Sequence, residues 1–117
     1  MSRILVVDDE EKIRHLLATF LEKNGYEVIQ SANGEEALEV LEKDASIDLL
    51  ITDNRMPKLT GVDVARKLRE EKNDIPIIVF SGSLGSWDEI PEINVILLKP
   101  INLDEVLDNI KTLLQKK

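Results

Sequence analysis

Three carboxylates, a hydroxyl and a lysine stand where short apolar runs end. Ile4–Val7 is followed at once by Asp8 and Asp9, Leu49–Thr52 by Asp53, Ile77–Phe80 by Ser81, and Val95–Leu98 by Lys99 and Pro100. If these runs are strands of one open sheet, the side chains converge outside the carboxyl ends of the strands, where α/β sheets bind ligands. Two carboxylates about 4 Å apart repel by on the order of 4 kcal/mol at an effective dielectric of 20. Raised pKa values relieve some of that, and a hard divalent cation relieves it better: Mg²⁺ takes one or two carboxylates together with waters and phosphate oxygens. With Mg²⁺ and a lysine in place, an incoming phosphoryl group finds its equatorial oxygens neutralised. Asp53 is then a carboxylate able to form an aspartyl phosphate.

The elements that must position these groups alternate between strand and helix. A fifth β-branched run, Glu27–Gln30, joins the four already named, and helix-period stretches lie between most of them, an alternating β/α layout. Ile13, Leu16, Leu17, Phe20 and Leu21 form the apolar stripe of a first helix stopped by Asn24-Gly25. Asn33 caps a second, with Ala37, Leu38 and Leu41 inward. A third runs from about Gly61 to Glu71 with Val62, Ala65 and Leu68 inward, and a last begins at Asn102 with Glu105 three residues on, a capping-box variant. Its buried stripe is Val106, Leu107, Ile110, Leu113 and Leu114. Between Gly82 and Asn94 the chain is rich in Ser, Gly and Pro, so the helix expected there is short or distorted, near Trp87–Ile90. Ile4–Val7, Leu49–Ile51 and Ile77–Val79 are apolar at consecutive positions, the mark of central parallel strands covered on both faces. The expectation is a three-layer α/β/α sandwich.

Composition narrows the function classes. At 117 residues the chain has room for one domain. A net charge of −8 disfavours direct binding to nucleic acid, which rests on Lys and Arg neutralising phosphates. No apolar run is long enough for a membrane span. The absence of cysteine rules out disulfides and thiolate metal sites and fits a cytoplasmic location. Neither phosphate-binding glycine motif of nucleotide sites follows a predicted strand. His15 beside Arg14 reads as a solvent-side residue of the first helix, and Lys116 and Lys117 as a solvated helix end.

Four blocks, ILVVDDEE (Ile4–Glu11), DLLITDNRMPKLTG (Asp48–Gly61), IIVFSG (Ile77–Gly82) and LLKP (Leu97–Pro100), resemble in order the signature blocks of response-regulator receiver domains in two-component signalling, and the resemblance covers essentially the whole chain. It implies a single receiver domain over residues 1–117 with a five-stranded parallel sheet in the flavodoxin-like order 2-1-3-4-5. It also implies a phosphorylation-dependent signalling switch rather than a metabolic enzyme. Asp53, three residues before Met56-Pro57, resembles the family's phosphoacceptor. Asp9 and Asp53 resemble its direct Mg²⁺ ligands, Asp8 the acid acting largely through water, and Arg55 the residue lending a backbone carbonyl. Ser81 resembles the switch hydroxyl and Lys99 the cation that pairs with a phosphate oxygen. The implied donor is the phosphohistidine of a histidine kinase or phosphotransfer protein, and the implied state a monomer or a phosphorylation-dependent dimer.

The chain departs from the family pattern in places. Ile96 stands where many members carry an aromatic, the Ser81–Lys99 interval is several residues shorter than usual, Thr60 lies where an acid is common, and Arg55 occupies a position that tunes dephosphorylation. Thr60 and Arg55 bear on the lifetime of the phosphorylated state, while the short Ser81–Lys99 interval and Ile96 support an alternative, a pseudo-receiver that binds partners without phosphorylation. The intact acids, Ser81 and Lys99 oppose it. An aspartate-based Mg²⁺ phosphohydrolase usually carries a second acid two residues after the nucleophile, and here that residue is Arg55.

Overall fold

The structure, a computed structural model, describes residues 2–82 and 90–115. Its elements in chain order are β1 (Arg3–Val7), α1 (Glu11–Lys23), β2 (Glu27–Ser31), α2 (Gly34–Lys43), β3 (Leu49–Asp53), α3 (Gly61–Glu70), β4 (Ile77–Ser81), β5 (Val95–Leu98) and α4 (Leu103–Gln115). All four strand pairings are parallel and the sheet order is β2-β1-β3-β4-β5, the flavodoxin-like arrangement. The short helix expected near Trp87–Ile90 falls on residues 83–89, outside the described residues, and Ile90 itself is not helical.

Alternation along the central strands divides the core in two. Leu5 and Val7 of β1, Leu50 of β3, and Ile77 and Val79 of β4 pack with Ala37 and Leu41 of α2 and Val64, Ala65 and Leu68 of α3. Ile4, Val6, Leu49, Ile51, Ile78 and Phe80 face the other way, onto Leu17 and Leu21 of α1 and Val106 and Ile110 of α4. This is why β1, β3 and β4 each carry a run of consecutive apolar residues: each face lies under helices.

Two helical stripes differ from expectation. Leu16, counted into the α1 stripe, is 54% exposed, and its place toward the sheet is taken by Ala18, which is buried beside Leu17 and Leu21. In α3 the fully buried residue is Val64 rather than Val62, which is half-buried at the margin of the same cluster. In both helices the stripe is set by which side meets the sheet, and in α1 that side takes a small residue ahead of a larger neighbour.

The helix ends follow local chemistry. The Asn33 side chain accepts from Glu36 N at the start of α2, and Asn102 Oδ1 accepts from Glu105 N ahead of α4. At the end of α1, Gly25 N donates to Glu22 O and Tyr26 N to Leu21 O, a Schellman closure with Gly25 at φ 91°. The same closure ends α3 with Lys72 at φ 61°, so an L-residue is tolerated there at a cost. A Cβ at Gly25 meets nothing within 4 Å. Gly25→Ala is therefore expected to cost only the left-handed backbone penalty, about 1 kcal/mol, read as a lower denaturant midpoint at unchanged m-value.

Candidate functional site

The chemistry-bearing residues reach one rim of the sheet through strand register. Asp53 is the last residue of β3 and Ser81 the last of β4, each one position further into its strand than the apolar runs indicated, because the parallel ladder continues through the Asp53–Phe80 and Ser81–Leu98 pairs. Backbone bonds carry the ladder past the strand ends: Asp8 N donates to Ser31 O at 3.2 Å, Asn54 N to Phe80 O at 3.0 Å and Lys99 N to Ser81 O at 2.9 Å. Asp8, Asp53 and Lys99 continue the parity of the face covered by α1 and α4, whereas Ser81 continues that of the α2–α3 face. The Lys99–Pro100 peptide is cis.

Of the six residues anticipated, three form a carboxylate cluster. Oxygens of Asp8, Asp9 and Asp53 all lie within 4.8 Å of one another, at which distance each like-charged pair costs roughly 3 kcal/mol at an effective dielectric of 20. Lys99 Nζ sits 2.8 Å from Asp53 Oδ1. Ser81, Lys99, Asp53 and Arg55 line a cavity of about 380 Å³ together with Asn54, Phe80 and Gly82. Because β3 lies between β1 and β4, Asp53 has the acidic pair on one side and the cavity with Ser81 on the other. The Arg55 side chain is exposed.

Burial sets the electrostatics. Asp8 is 1% exposed and Asp53 4%, while Asp9 is open to solvent. Burial pushes the Asp8 carboxyl up to about 6, reinforced by the charges of Asp53 and Asp9 and opposed by the Glu10 amide and Lys99. For Lys99, burial alone favours the neutral amine, but the hydrogen bond and charge of Asp53, with Asp8 and Glu10 behind it, outweigh burial and leave the ammonium above its ordinary value. Asp8 Oδ1 accepts from Glu10 N at 2.9 Å, and Asp8 Oδ2 is buried with no hydrogen-bond partner among the described residues. An orphaned buried carboxylate oxygen within an all-oxygen anionic set fits a hard cation of the Mg²⁺ kind.

The loop from Asp53 to α3 is fixed by residues that were not singled out as part of the site. Asn54 accepts from Gly61 N through its carbonyl and from Val62 N through Oδ1, closing the loop back onto its own start. Thr60, noted only as a loop residue where an acid is common, forms a full capping box with Asp63; the Thr-x-x-Asp spacing was the available signal. Thr52 Oγ1 donates to Asp53 O, and Met56 is buried below. Gly61 carries no sequence signal for its role: a Cβ there would come 2.9 Å from Asp53 O and 3.2 Å from Asn54 Cα. Those are backbone atoms that cannot rotate away. Gly61→Ala is expected to cost on the order of 1–3 kcal/mol of stability and to displace Asp53, measured as a lower melting temperature and weaker Mg²⁺ binding in the same variant.

Comparison with known proteins agrees with this geometry. Residues 4–111 match the response regulator receiver domain family. The chain is 36% identical to the alkaline phosphatase synthesis transcriptional regulatory protein PhoP of Bacillus subtilis, over 98% of this chain and 49% of that protein. It likewise spans about half the length of the other curated relatives it matches, among them the response regulator MprA of Mycobacterium leprae, at 36% identity over 97% of this chain and 51% of that protein. Among solved structures, the response regulator TrrA of Thermotoga maritima, determined in complex with Mg²⁺–BeF, superposes with a TM-score of 0.88 at 38% identity, covering 97% of this chain and 99% of that one. A receiver domain protein of Clostridium thermocellum superposes with a TM-score of 0.91 at 29% identity, covering 99% and 96%. A match to the family's domain over residues 4–111, relatives above 30% identity and the 2-1-3-4-5 sheet with acids at its rim lead to one assignment: the chain belongs to the receiver domains of two-component response regulators.

Proposed function

We propose that this receiver domain is a phosphoacceptor switch in which Asp53 takes a phosphoryl group from the phosphohistidine of a histidine kinase or phosphotransfer protein. The observation that carries the reading is the 2.8 Å Lys99–Asp53 ion pair set inside a three-carboxylate cluster at the mouth of a cavity. An Asp53 carboxylate oxygen attacks phosphorus, an acyl phosphate forms, and the donor's leaving group departs with its bonding electron pair. Lys99 is placed to pass from the carboxylate to a phosphate oxygen as charge builds on the transferring group. Asp8, Asp9 and Asp53, with the backbone carbonyl of Arg55, would hold Mg²⁺, which supplies charge neutralisation for the phosphoryl oxygens; the Mg²⁺–BeF complex of TrrA supports the same cation here.

Ser81, buried at the cavity wall, carries the hydroxyl that would turn to a new phosphate oxygen. Its movement toward the phosphate would shift the equilibrium between two conformations of the β4 end. The output is proposed to lie in a further segment of a longer regulator, since PhoP of Bacillus subtilis, about twice this length, is a transcriptional regulatory protein. No described helix is long and apolar enough to cross a membrane, and we place the domain in the cytoplasm with its kinase's phosphotransfer machinery. The test is intact-mass analysis after incubation with acetyl phosphate in Mg²⁺ or in EDTA. A gain of one phosphoryl group that requires Mg²⁺ is the expected result; no gain in either condition overturns the reading in favour of a binding module that is never phosphorylated.

A further inference from the structure

The turn between β1 and α1 carries two of the three clustered acids, and a single guanidinium spans it. Arg14, in the second turn of α1, donates from Nη1 to the carbonyl of Asp8 at 2.8 Å and from Nε to Gln30 Oε1 of β2 at 3.2 Å. The carbonyl it holds belongs to the peptide unit that joins Asp8 to Asp9. Because that unit is planar, fixing its oxygen fixes the direction in which the chain leaves for Asp9. Asp8 has further restraints of its own, its carboxylate on the Glu10 amide and its amide on Ser31 O. Asp9 has none of that kind: it is exposed, and no hydrogen bond to its carboxylate exists among the described residues.

We infer that Arg14, held by Gln30, is a positioning residue for the metal centre, aiming the Asp9 carboxylate at Asp8 and Asp53 by clamping the Asp8–Asp9 peptide. The inference rests on the Mg²⁺ reading of the acidic cluster. Its action is geometric: a planar fork reaches Asp8 O and Gln30 at once, and an ammonium on a flexible stem does not reproduce that span. Groups that orient metal ligands typically change affinity by tenfold or more when removed.

Mg²⁺ dissociation constants measured by calorimetry on the native chain, Arg14→Met and Arg14→Lys, with melting temperatures in EDTA, test it. Met keeps the apolar stem and Lys the charge. The expected result is a dissociation constant raised about tenfold in both variants, and a smaller rise in Gln30→Met. A merely structural arginine lowers the EDTA melting temperature and leaves Mg²⁺ affinity within twofold of native, and that outcome overturns the inference while leaving the metal reading intact. Native affinity in Arg14→Lys overturns it as well, since charge alone then suffices. A native chain that binds no Mg²⁺ overturns the metal reading and this inference together.

Discussion

Asp53→Asn is expected to abolish phosphorylation by acetyl phosphate in Mg²⁺, a loss on the order of a thousandfold or more, as for removal of a nucleophile elsewhere. The amide nitrogen is not a nucleophile toward phosphorus, and the remaining amide oxygen carries no full charge. The fold has reason to persist. Asn matches Asp in shape, its oxygen still accepts from Lys99 across the 2.8 Å contact, and the substitution removes one of three mutually repelling carboxylates. Intact mass with and without Mg²⁺ reads the first effect and far-ultraviolet circular dichroism the second. Full labelling of a folded Asp53→Asn chain would move the acceptor to another residue and dissolve the roles proposed for Lys99 and Ser81.

The α/β architecture was legible because the two signals that specify it are strong in this chain. Three runs of consecutive aliphatics can be satisfied only between two helical layers, and the acids and lysine that follow them reach one rim as soon as the strands are parallel. Leu16 marks the limit of helical periodicity. Helical periodicity accepts it beside Leu17, and only the sheet's position decides that Ala18 turns inward instead. The supporting shell was less legible for a related reason. Gly61 matters because Asp53 O lies 2.9 Å from where its Cβ would be, and Arg14 because its guanidinium reaches back six residues to a carbonyl. Both are contacts to backbone atoms, which have no residue type and leave no pattern in a sequence. The Thr60–Asp63 capping box differs: its Thr-x-x-Asp spacing is a pattern of residue types and is present in the sequence.

Asp8→Asn is expected to stabilise the metal-free domain, in a pH-dependent way whose sign follows from burial. The folded-state carboxyl of Asp8 is raised to about 6 from an ordinary 3.8, so between these values the native state keeps a proton that the unfolded chain has released. Below about pH 4 both states are protonated and there is no penalty. As pH rises from 4 through 6 the native chain loses stability, and above 6 the cost of a buried, repelled carboxylate is fully present. The gap corresponds to on the order of 3 kcal/mol. An asparagine recovers part of it, because its amide also leaves water, so a gain of about 1–2 kcal/mol at pH 8 in EDTA is expected. That gain should fade as pH falls from 6 toward 4. Saturating Mg²⁺ should reverse the order at pH 8, since a ligand bound only by the native state stabilises the chain that retains its site. Denaturant melts of both chains at pH 8 and pH 4 in EDTA, and at pH 8 in Mg²⁺, make the check. An Asp8→Asn chain less stable than native in EDTA at pH 8 would mean that the Glu10 amide and Lys99 outweigh burial, and that the cluster tolerates its charge without a cation.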